Sequence, residues 1–406
     1  MTYFLLPRSY LHLYKQIEYK GGEGEGEGEG GDGILISHSL AGYLYRIKEK
    51  ITAIEKQWDI HKKFTNPYEY IHTVVPQKKK SVSKYKPISR SYFKMIEMIR
   101  TFRILPDCST PITTFHLAEG PGGFIEALVN MRRCSADHYI GMTLLDEKKN
   151  DPNIPGWKKS DAFLKSNSNV IIENGITGTG DILSFENFES VVAKYANKKM
   201  EIVTADGGFD FSMDFNQQEK MIGKLLFAQM AFALCLNKRQ GHFILKIFDC
   251  FMAHTLDILY ILSSFYNKVY IMKPNTSRYA NSERYIVCIG FLYDNTSTFY
   301  PYLAEAFKKM CMKDTLPGRF LAPMSPSDIG IHQFFIKKIE EYNAIFGQKQ
   351  IHNIIFTLSL IENKTKQEKI ESLLLMNIQK SMDWCSRFQV PFHPLNTPTN
   401  LFLTDE

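Results

Sequence analysis

The sequence contains no C-x-x-C pair, no long uninterrupted apolar run and no strong excess of one charge. Its seven cysteines are odd in number and scattered along the chain, which argues against a disulfide framework and a structural zinc site. Residues 1–19 interrupt their apolar side chains with Arg8, His12 and Lys15, so they lack the apolar core of a signal peptide or membrane span. We therefore expect a reduced, soluble, cytoplasmic protein without structural zinc.

The charge balance is mildly basic, with 49 lysines and arginines against 43 acidic residues and a net charge of +6. Such an excess permits a polyanionic partner without requiring one. The basic side chains are densest in one stretch, which we call the basic segment: Lys78, Lys79, Lys80, Lys84, Lys86 and Arg90. Such a stretch is as typical of a solvated loop as of an RNA-binding surface. Because it precedes a helix and a glycine-rich turn, we favour RNA binding.

The length of 406 residues fits one large domain or two ordinary ones. Residues 1–85 are expected to form an N-terminal extension. Within it, residues 21–33 contain only glycine, glutamate and aspartate, which predicts an exposed loop, and residues 34–63 carry apolar side chains at helical spacing. Residues 86–295 form the predicted central domain, and residues 296–406 a mainly helical C-terminal extension.

The central domain alternates short apolar runs with helical patterns, which predicts an α/β fold with a mostly parallel, doubly wound sheet. In such sheets, ligands bind beyond the carboxyl ends of the strands. Three chemically useful side chains lie at such ends, namely Glu119, Asp206 and Lys246. We therefore expect these three side chains to share one site.

The stretch 115–124 leads from an apolar strand through a glycine-rich turn into a helix. The turn lacks the Lys-Ser/Thr pair of a phosphate-binding loop, and Gly120, Gly122 and Gly123 do not match the G-x-G-x-x-G spacing of a dinucleotide site. Glu119 would repel a pyrophosphate, but it suits a ligand with an ammonium or sulfonium group. The pattern therefore favours S-adenosylmethionine, and a tight turn without a ligand is the alternative.

Seven motifs of the central domain resemble those of FtsJ-like RNA 2′-O-ribose methyltransferases, and most closely those of the messenger-RNA cap enzymes. They are Ser89–Lys94, Ala118–Phe124, Gly141–Leu144, Gly178–Asp181, Thr204–Gly208, Leu245–Lys246 and Asn281–Tyr285. The resemblance implies a Rossmann-like methyltransferase sheet, mostly parallel and with seven strands, between helical N- and C-terminal extensions. The chain is also similar to forms found in large cytoplasmic DNA viruses of the African swine fever virus type, which implies the host cytoplasm or the virion as its location.

The resemblance also implies a catalytic tetrad of Lys94, Asp206, Lys246 and Glu283. A ribose hydroxyl is a weak nucleophile that must lie in line with the methyl group it attacks. Lys246 would accept its proton, because a neighbouring cation, Lys94, and partial desolvation favour a neutral amine. Asp206 and Glu283 would orient the two lysines, and the displacement requires no metal ion. An ordinary surface salt bridge is the alternative for any one of these residues alone.

For the methyl donor, S-adenosyl-L-methionine, the resemblance implies contacts at the glycine turn and at neighbouring strand ends. The implied set is Glu119, Gly120, Pro121, Gly122, Gly123, Phe124, Thr143, Asp181 and Asp206. Residues 119–123 would surround the methionine end, and Asp181 would contact the adenine side. At the second strand, Leu145 precedes two acids, so the residue that holds the cofactor ribose stays open between Asp146, Glu147 and neither.

A methylated cap guanine carries positive charge and is commonly held between aromatic rings. Phe248 and Phe251, just past Lys246, are the candidates, although core packing is the alternative for either ring. The implied partners are the capped 5′ end of mRNA and other subunits of a capping apparatus. Two other functions remain open: an internal 2′-O-methyltransferase of ribosomal or transfer RNA, and an inactive methyltransferase fold that binds RNA as a scaffold. The intact tetrad argues against the inactive form.

Overall fold

Strands form where β-branched and aromatic residues run together, and helices form where apolar residues recur every three or four positions. The computed structural model describes residues 3–9, 12–22, 34–146, 154, 156–208, 216–322, 330–363 and 366–395. Most of the predicted low-complexity loop, residues 23–33, lies outside these ranges, as does Glu147.

The described residues contain strands in two sheets and helices that flank them. The strands are β1 (Tyr3–Leu5), β2 (Ile17–Gly21), β3 (Thr113–Leu117), β4 (His138–Met142), β5 (Val170–Ile172), β6 (Met200–Ala205), β7 (Asn237–Ile247), β8 (Tyr266–Met272), β9 (Arg284–Phe291) and β10 (Pro317–Leu321). The α-helices are α1 (His38–Thr52), α2 (Glu55–Thr65), α3 (Ser91–Phe102), α4 (Gly123–Arg132), α5 (Asp161–Ser166), α6 (Phe185–Lys194), α7 (Gln218–Leu236), α8 (Ala253–Phe265), α9 (Tyr300–Met312), α10 (Gln333–Glu362) and α11 (Lys366–Arg387).

Eight of the strands form one sheet in the order β1–β8–β9–β7–β6–β3–β4–β5. The strands from β7 to β5 pair in parallel, whereas β9 runs antiparallel to β7 and β8, and β1 antiparallel to β8. The fold is therefore the predicted α/β, Rossmann-like methyltransferase fold with a mostly parallel sheet. The sheet has eight strands rather than the predicted seven, because Tyr3–Leu5 adds an edge strand beside β8. Three residues are too few to give a periodic signal in the sequence.

Helices cover both faces of this sheet. On one face, α3, α4 and α11 pack against side chains that include Ile202 and Ile244. On the other face, α6, α7 and α8 pack against side chains that include Val203 and Phe243. Successive strand residues point to opposite faces, so burial of both faces produces strands that are apolar almost throughout. Polar side chains can therefore gather only at the strand ends.

The chain outside the predicted central domain packs on this framework. β2 and β10 form a two-stranded antiparallel sheet, and α1 and α2 contact α10. Residues 333–362 form a single long helix, α10, in which Gly347 packs closely against Leu40 of α1. The domain boundaries at residues 85 and 295 stay a prediction. Among the described residues, no helix is long and apolar enough to cross a membrane.

Candidate active site

The strand ends bring the predicted site residues to one edge of the sheet. Ala205, the last residue of β6, pairs with both neighbouring strands, β3 and β7. Glu119, Asp206 and Lys246 follow or end these three strands, so they emerge at the same edge. β9 runs the opposite way and begins at that edge, and Glu283 lies just before its first residue.

Two lysine–carboxylate pairs form the centre of this edge. Lys94 Nζ, which reaches in from α3, lies 2.7 Å from the Glu283 carboxylate. Lys246 Nζ donates to the main-chain O of Asp206 at 2.6 Å and lies 3.4 Å from Asp206 Oδ1. All four side chains are mostly buried, with 10% to 13% of each exposed. The structure thus brings together all four residues of the predicted tetrad, whose catalytic roles stay a prediction.

Tyr285 joins the two pairs. Its hydroxyl donates to Asp206 Oδ1 at 2.8 Å and accepts from Lys94 Nζ at 3.4 Å. Burial, together with the negative charges of Asp206 and Glu283, raises the pKa of Tyr285 well above its usual value. The phenol therefore keeps its proton and remains a donor. Tyr285 is not among the residues predicted from the sequence, although the two-residue period of a strand already places it on the same face as Glu283.

The Glu283 carboxylate is buried and ionised. Burial raises its pKa, but Lys94, Lys246 and Lys273 outweigh burial and lower the pKa to about 2. The carboxylate therefore keeps a charge-assisted hydrogen bond to Lys94 at neutral pH. The negative charge at this position holds Lys94 in place and offsets part of the positive charge of the site.

The glycine turn leaves no room for side chains at its ends. A Cβ atom on Gly120 would lie 2.3 Å from the carbonyl O of Gly156, and one on Gly123 would lie 2.2 Å from two serine hydroxyls that precede or begin α3. Gly122, which immediately precedes α4, has a φ of 101°, in the left-handed region that favours glycine. Packing and backbone conformation therefore both require glycine in this turn.

Glu119, just before the turn, is held by two residues that the sequence did not predict. Its Oε2 lies 2.9 Å from His116 Nδ1 and accepts a hydrogen bond from Thr204 Oγ1 at 3.0 Å. Burial raises the pKa of Glu119, and His116 and Thr204 only partly offset this effect. Glu119 Oε1 is buried and has no hydrogen-bond partner among the described residues. A buried carboxylate with an unused oxygen fits the ammonium group at the methionine end of the expected cofactor.

The part of the site that is predicted to hold the adenine lies where the loop before α6 meets the end of β4. A Cβ atom on Gly180 would lie 2.1 Å from the carbonyl O of Thr143, so the two segments are in direct contact. The Asp181 side chain accepts a hydrogen bond from Leu183 N at 2.8 Å, which stabilises its own turn. The contacts of Thr143 and Asp181 with a cofactor stay predictions.

Other polar groups near the glycine turn also bear on the cofactor. Asp146 forms an ion pair with Lys158 at 2.7 Å, and Glu147 lies outside the described residues, so the acid that would hold the ribose stays open. Trp157 Nε1 and Asn174 Oδ1 are buried without hydrogen-bond partners in the described part of the chain. Unpaired buried polar atoms such as these are compatible with a polar ligand that completes them.

The model of one protein family, the FtsJ-like methyltransferases, matches residues 87–291, about half of the chain. The matched residues include the glycine turn and both lysine–carboxylate pairs. The chain belongs to this family. All the motifs on which the resemblance was based fall within this matched region, which is the part of the chain that forms the site edge.

Three curated relatives carry the same kind of name. A cap-specific mRNA (nucleoside-2′-O-)-methyltransferase 1 of Trypanosoma cruzi is 38% identical over 176 residues, which are 43% of this chain and 46% of the relative. The protein of that name from Trypanosoma brucei brucei is 29% identical over 262 residues, covering 62% and 66%. A cap-specific mRNA (nucleoside-2′-O-)-methyltransferase 2 of Danio rerio is 30% identical over 277 residues, covering 63% and 34%. The chain thus spans between about a third and two thirds of these relatives' lengths. They come from cellular organisms, and the expected viral origin stays a prediction.

The basic segment of this FtsJ-like chain divides into two parts. The five lysines are exposed, as an RNA-binding surface requires. Arg90 instead turns inward, with its guanidinium 3.6 Å from the Glu69 carboxylate and donating to the carbonyl O of Thr276. The predicted RNA contact therefore rests on the lysines, because Arg90 is already engaged within the protein.

The two phenylalanines predicted to stack on a cap differ in position. Phe251 is fully buried in a cluster with residues of α1. A ring without exposed surface cannot stack on a base, so the prediction for Phe251 is wrong. Phe248 is partly buried, its ring centre lies 6.0 Å from Lys246 Nζ, and it lines a cavity. Phe248 therefore remains a candidate.

This cavity has a volume of about 240 Å³ and lies beside Phe248 and Glu283. Its walls come from α1, α2 and α10, and from the segment just before β9. Trp58 supplies an apolar surface, and amide side chains such as Asn66 and Gln350 supply polar groups. The two extensions of the chain therefore complete a cavity next to the tetrad of the matched domain.

Proposed function

We propose that the chain is an S-adenosylmethionine-dependent RNA 2′-O-ribose methyltransferase that acts on the first transcribed nucleotide of capped mRNA. One observation carries the proposal: Lys94, Asp206, Lys246 and Glu283 meet at the edge that also holds the glycine turn. If these charged side chains formed only ordinary surface ion pairs, we would not expect them to meet around one buried tyrosine from α3 and three strand ends. The names of the three relatives support the capped substrate.

The residues of the chain divide the chemistry between them. Bound S-adenosylmethionine would supply an electrophilic methyl group, and its sulfur would keep the electron pair of the broken sulfur–methyl bond, which leaves S-adenosylhomocysteine. As the ribose 2′-oxygen bonds to the methyl carbon, Lys246 Nζ accepts the hydroxyl proton. Asp206 holds Lys246 in place through its main-chain and side-chain oxygens. Lys94, fixed by Glu283, places a second cation near the oxygen that develops negative charge.

For the cofactor, Glu119 is the residue that would bind the methionine ammonium group. Its free oxygen, Oε1, is already desolvated, so a cation placed there faces a carboxylate that water does not screen. The glycine turn, residues 120–123, would let the main chain approach the ligand, since no side chain projects from three of its four residues. Thr143 and Asp181 would meet the adenosine at the neighbouring strand end.

The cavity beside Glu283 supports a capped substrate over an internal RNA site. It combines one aromatic wall residue, Trp58, with Phe248 at its edge and amide groups around it, which is the composition that binds a base. The terminal guanine would enter the cavity while the next ribose lies at Lys246. Other capping subunits remain expected partners.

The proposal is tested by transfer of labelled methyl to capped and uncapped RNA of one sequence, followed by nuclease digestion. Label on the ribose of the first transcribed nucleotide, with capped RNA only, is expected. Equal labelling of both RNAs would favour internal modification. Protein that binds RNA and S-adenosylhomocysteine but transfers nothing to either RNA would favour the scaffold.

A further inference from the structure

A buried lysine outside the tetrad holds the segment that carries Glu283. Lys273 follows β8 and begins the connection to β9, and only 8% of the residue is exposed. Its Nζ donates to three oxygens at 2.7 Å each: the carbonyl O and Oδ1 of Asn281, and the carbonyl O of Glu283. The three protons of the ammonium group therefore all have acceptors within one short segment.

These hydrogen bonds close the β8–β9 connection into a loop. The loop leaves the sheet at Lys273 and returns at Glu283, and the Lys273 side chain joins its two ends. Because the bond is made to the main chain of Glu283, it fixes the direction in which the Glu283 side chain leaves the backbone. That side chain then meets Lys94 Nζ at 2.7 Å.

The far side of the same loop is fixed by the helix that carries Lys94. Glu97, one turn after Lys94 on α3, is fully buried and accepts hydrogen bonds from Asn275 N at 2.8 Å and Thr276 N at 3.1 Å. The helix of Lys94 and the loop of Glu283 are thus joined at the loop's far side by Glu97. Lys273 holds the other end of the loop, which lies next to the Glu283 carboxylate.

The burial of Lys273 has an energetic cost that packing alone does not explain. Burial lowers its pKa to about 7, with Arg284 and Lys94 adding to this effect and Glu283 opposing it. A methionine of similar length would avoid this cost and fill the same space. Unlike methionine, lysine can donate hydrogen bonds to the main chain beside Glu283.

We propose that Lys273 is a positioning residue for methyl transfer, which it supports by holding the Glu283 main chain so that the carboxylate meets Lys94. The inference rests on the proposed function. Displacement of catalytic groups by about 1 Å can cost on the order of a hundredfold in rate. Replacement of Lys273 is therefore expected to lower kcat and to leave substrate and cofactor affinity largely unchanged.

The test compares Lys273→Met with Lys199→Met. Lys199 is a half-buried lysine at the opposite edge of the sheet, where it donates to the carbonyl O of Cys235 at 2.7 Å. Lys273→Met should lower kcat about tenfold to a hundredfold, with KM for capped RNA and Kd for S-adenosylhomocysteine within about twofold of wild type. Lys199→Met should keep the wild-type kcat. Equal kcat values for the two variants would overturn the inference.

Hydrogen exchange provides a second measurement that does not depend on activity. Amides of residues 281–284 should exchange faster in Lys273→Met than in wild type, and unchanged exchange would contradict the positioning role. If Lys273→Met does not fold, Asn281→Ala removes one of the three acceptors and should show a smaller fall in kcat and faster local exchange. An Asn281→Ala variant with wild-type kcat and wild-type exchange would overturn the inference. A wild-type protein that transfers no methyl group would contradict the proposed function instead, while faster exchange beside Glu283 would still support the hold of Lys273 on this segment.

Discussion

The Tyr285 hydroxyl donates a 2.8 Å hydrogen bond to Asp206 Oδ1. Tyr285 lies on β9 and Asp206 follows β6, and these strands are separated by β7, which carries Lys246. Lys246 is also the register partner of Tyr285. The bond therefore passes over the end of the strand that presents the proposed base, and it links Asp206 to the Lys94–Glu283 pair through one phenol group.

Tyr285→Phe removes this link without emptying the space the ring occupies. We expect kcat to fall by about tenfold, because a lost hydrogen bond to a charged group is worth about 1.5–3 kcal/mol and part of it is recovered by relaxation. Binding of S-adenosylhomocysteine should change little. Tyr266→Phe is the matched control, since Tyr266 is equally buried and donates to Asn237 Oδ1 at 2.6 Å, far from the site. A similar loss of kcat in both variants would show a general effect on folding.

The central strands and the shared edge of Glu119, Asp206 and Lys246 could be predicted from the sequence, because apolar runs that stop at a charged residue mark strand ends. Lys94 and Glu283 were instead implied by the family resemblance, since one lies in a helix and the other precedes a strand. Tyr285 was missed because a tyrosine within an apolar strand has the pattern of a core residue, and only its hydroxyl partner distinguishes it. His116 was missed for the same reason, since it lies inside β3 between two buried residues.

The contributions of the two extensions could not be predicted. Trp58 of α2 and Gln350 of α10 line one cavity although about 290 residues separate them in the chain, and a single sequence carries no signal for such a pairing. The burial of Phe251 has the same origin, because α1 of the N-terminal extension covers it. Periodicity predicts that a helix has an apolar face, but it does not identify the surface that this face covers.

Glu119→Gln tests the ammonium site. The substitution keeps the shape and one accepting oxygen but removes the charge, so Kd for S-adenosylhomocysteine should rise about tenfold or more. Titration calorimetry measures this change. Methylthioadenosine, which lacks the amino-acid end, is the control ligand and should bind wild type and variant alike. An equal loss of affinity for both ligands would show that the glycine turn has been disturbed and that Glu119 does not bind the ammonium group.

The exposed lysines of the basic segment are expected to bind RNA phosphates. Replacing Lys78, Lys79 and Lys80 with alanine should weaken RNA binding and reduce the slope of log Kd against log salt by about 2, because each phosphate contact on a single strand contributes about 0.7. A matched triple variant at Lys308, Lys309 and Lys313 makes the same change in net charge elsewhere. An identical salt slope in the two variants would show that the basic segment is a solvated loop that does not contact RNA phosphates.

The ionisation of Glu69 makes the free energy of unfolding depend on pH in the acid range. Burial raises its pKa, but Arg278 and Arg90, with Asn66, outweigh burial and lower the pKa from 4.5 to about 2. Since the folded pKa lies below the unfolded one, the stabilisation is present above about pH 4.5 and is lost as the pH falls through about 2. At 1.36 kcal/mol per unit, its size is about 3 kcal/mol.

Glu69→Gln should therefore lower the free energy of unfolding at pH 7, and the difference from wild type should shrink between about pH 4.5 and 2. Urea unfolding across this range measures it. Glu341→Gln removes an exposed carboxylate paired with Lys338 and should be near neutral at every pH. A constant difference between wild type and Glu69→Gln from pH 7 to pH 2 would contradict the assigned pKa.

The central claim is that Lys246 accepts the proton of a cap-proximal ribose hydroxyl. The most direct measurement is single-turnover transfer of labelled methyl from S-adenosylmethionine to capped RNA by wild type, Lys246→Ala and Lys238→Ala. Lys238 lies at the opposite end of β7, where it pairs with Glu201 on the surface, so its removal should leave the rate unchanged. Lys246→Ala should lower the rate by about 10⁴, the upper range for a general base, with cofactor and RNA binding intact. A Lys246→Ala protein that binds both ligands and still labels the first ribose at the wild-type rate would contradict the account.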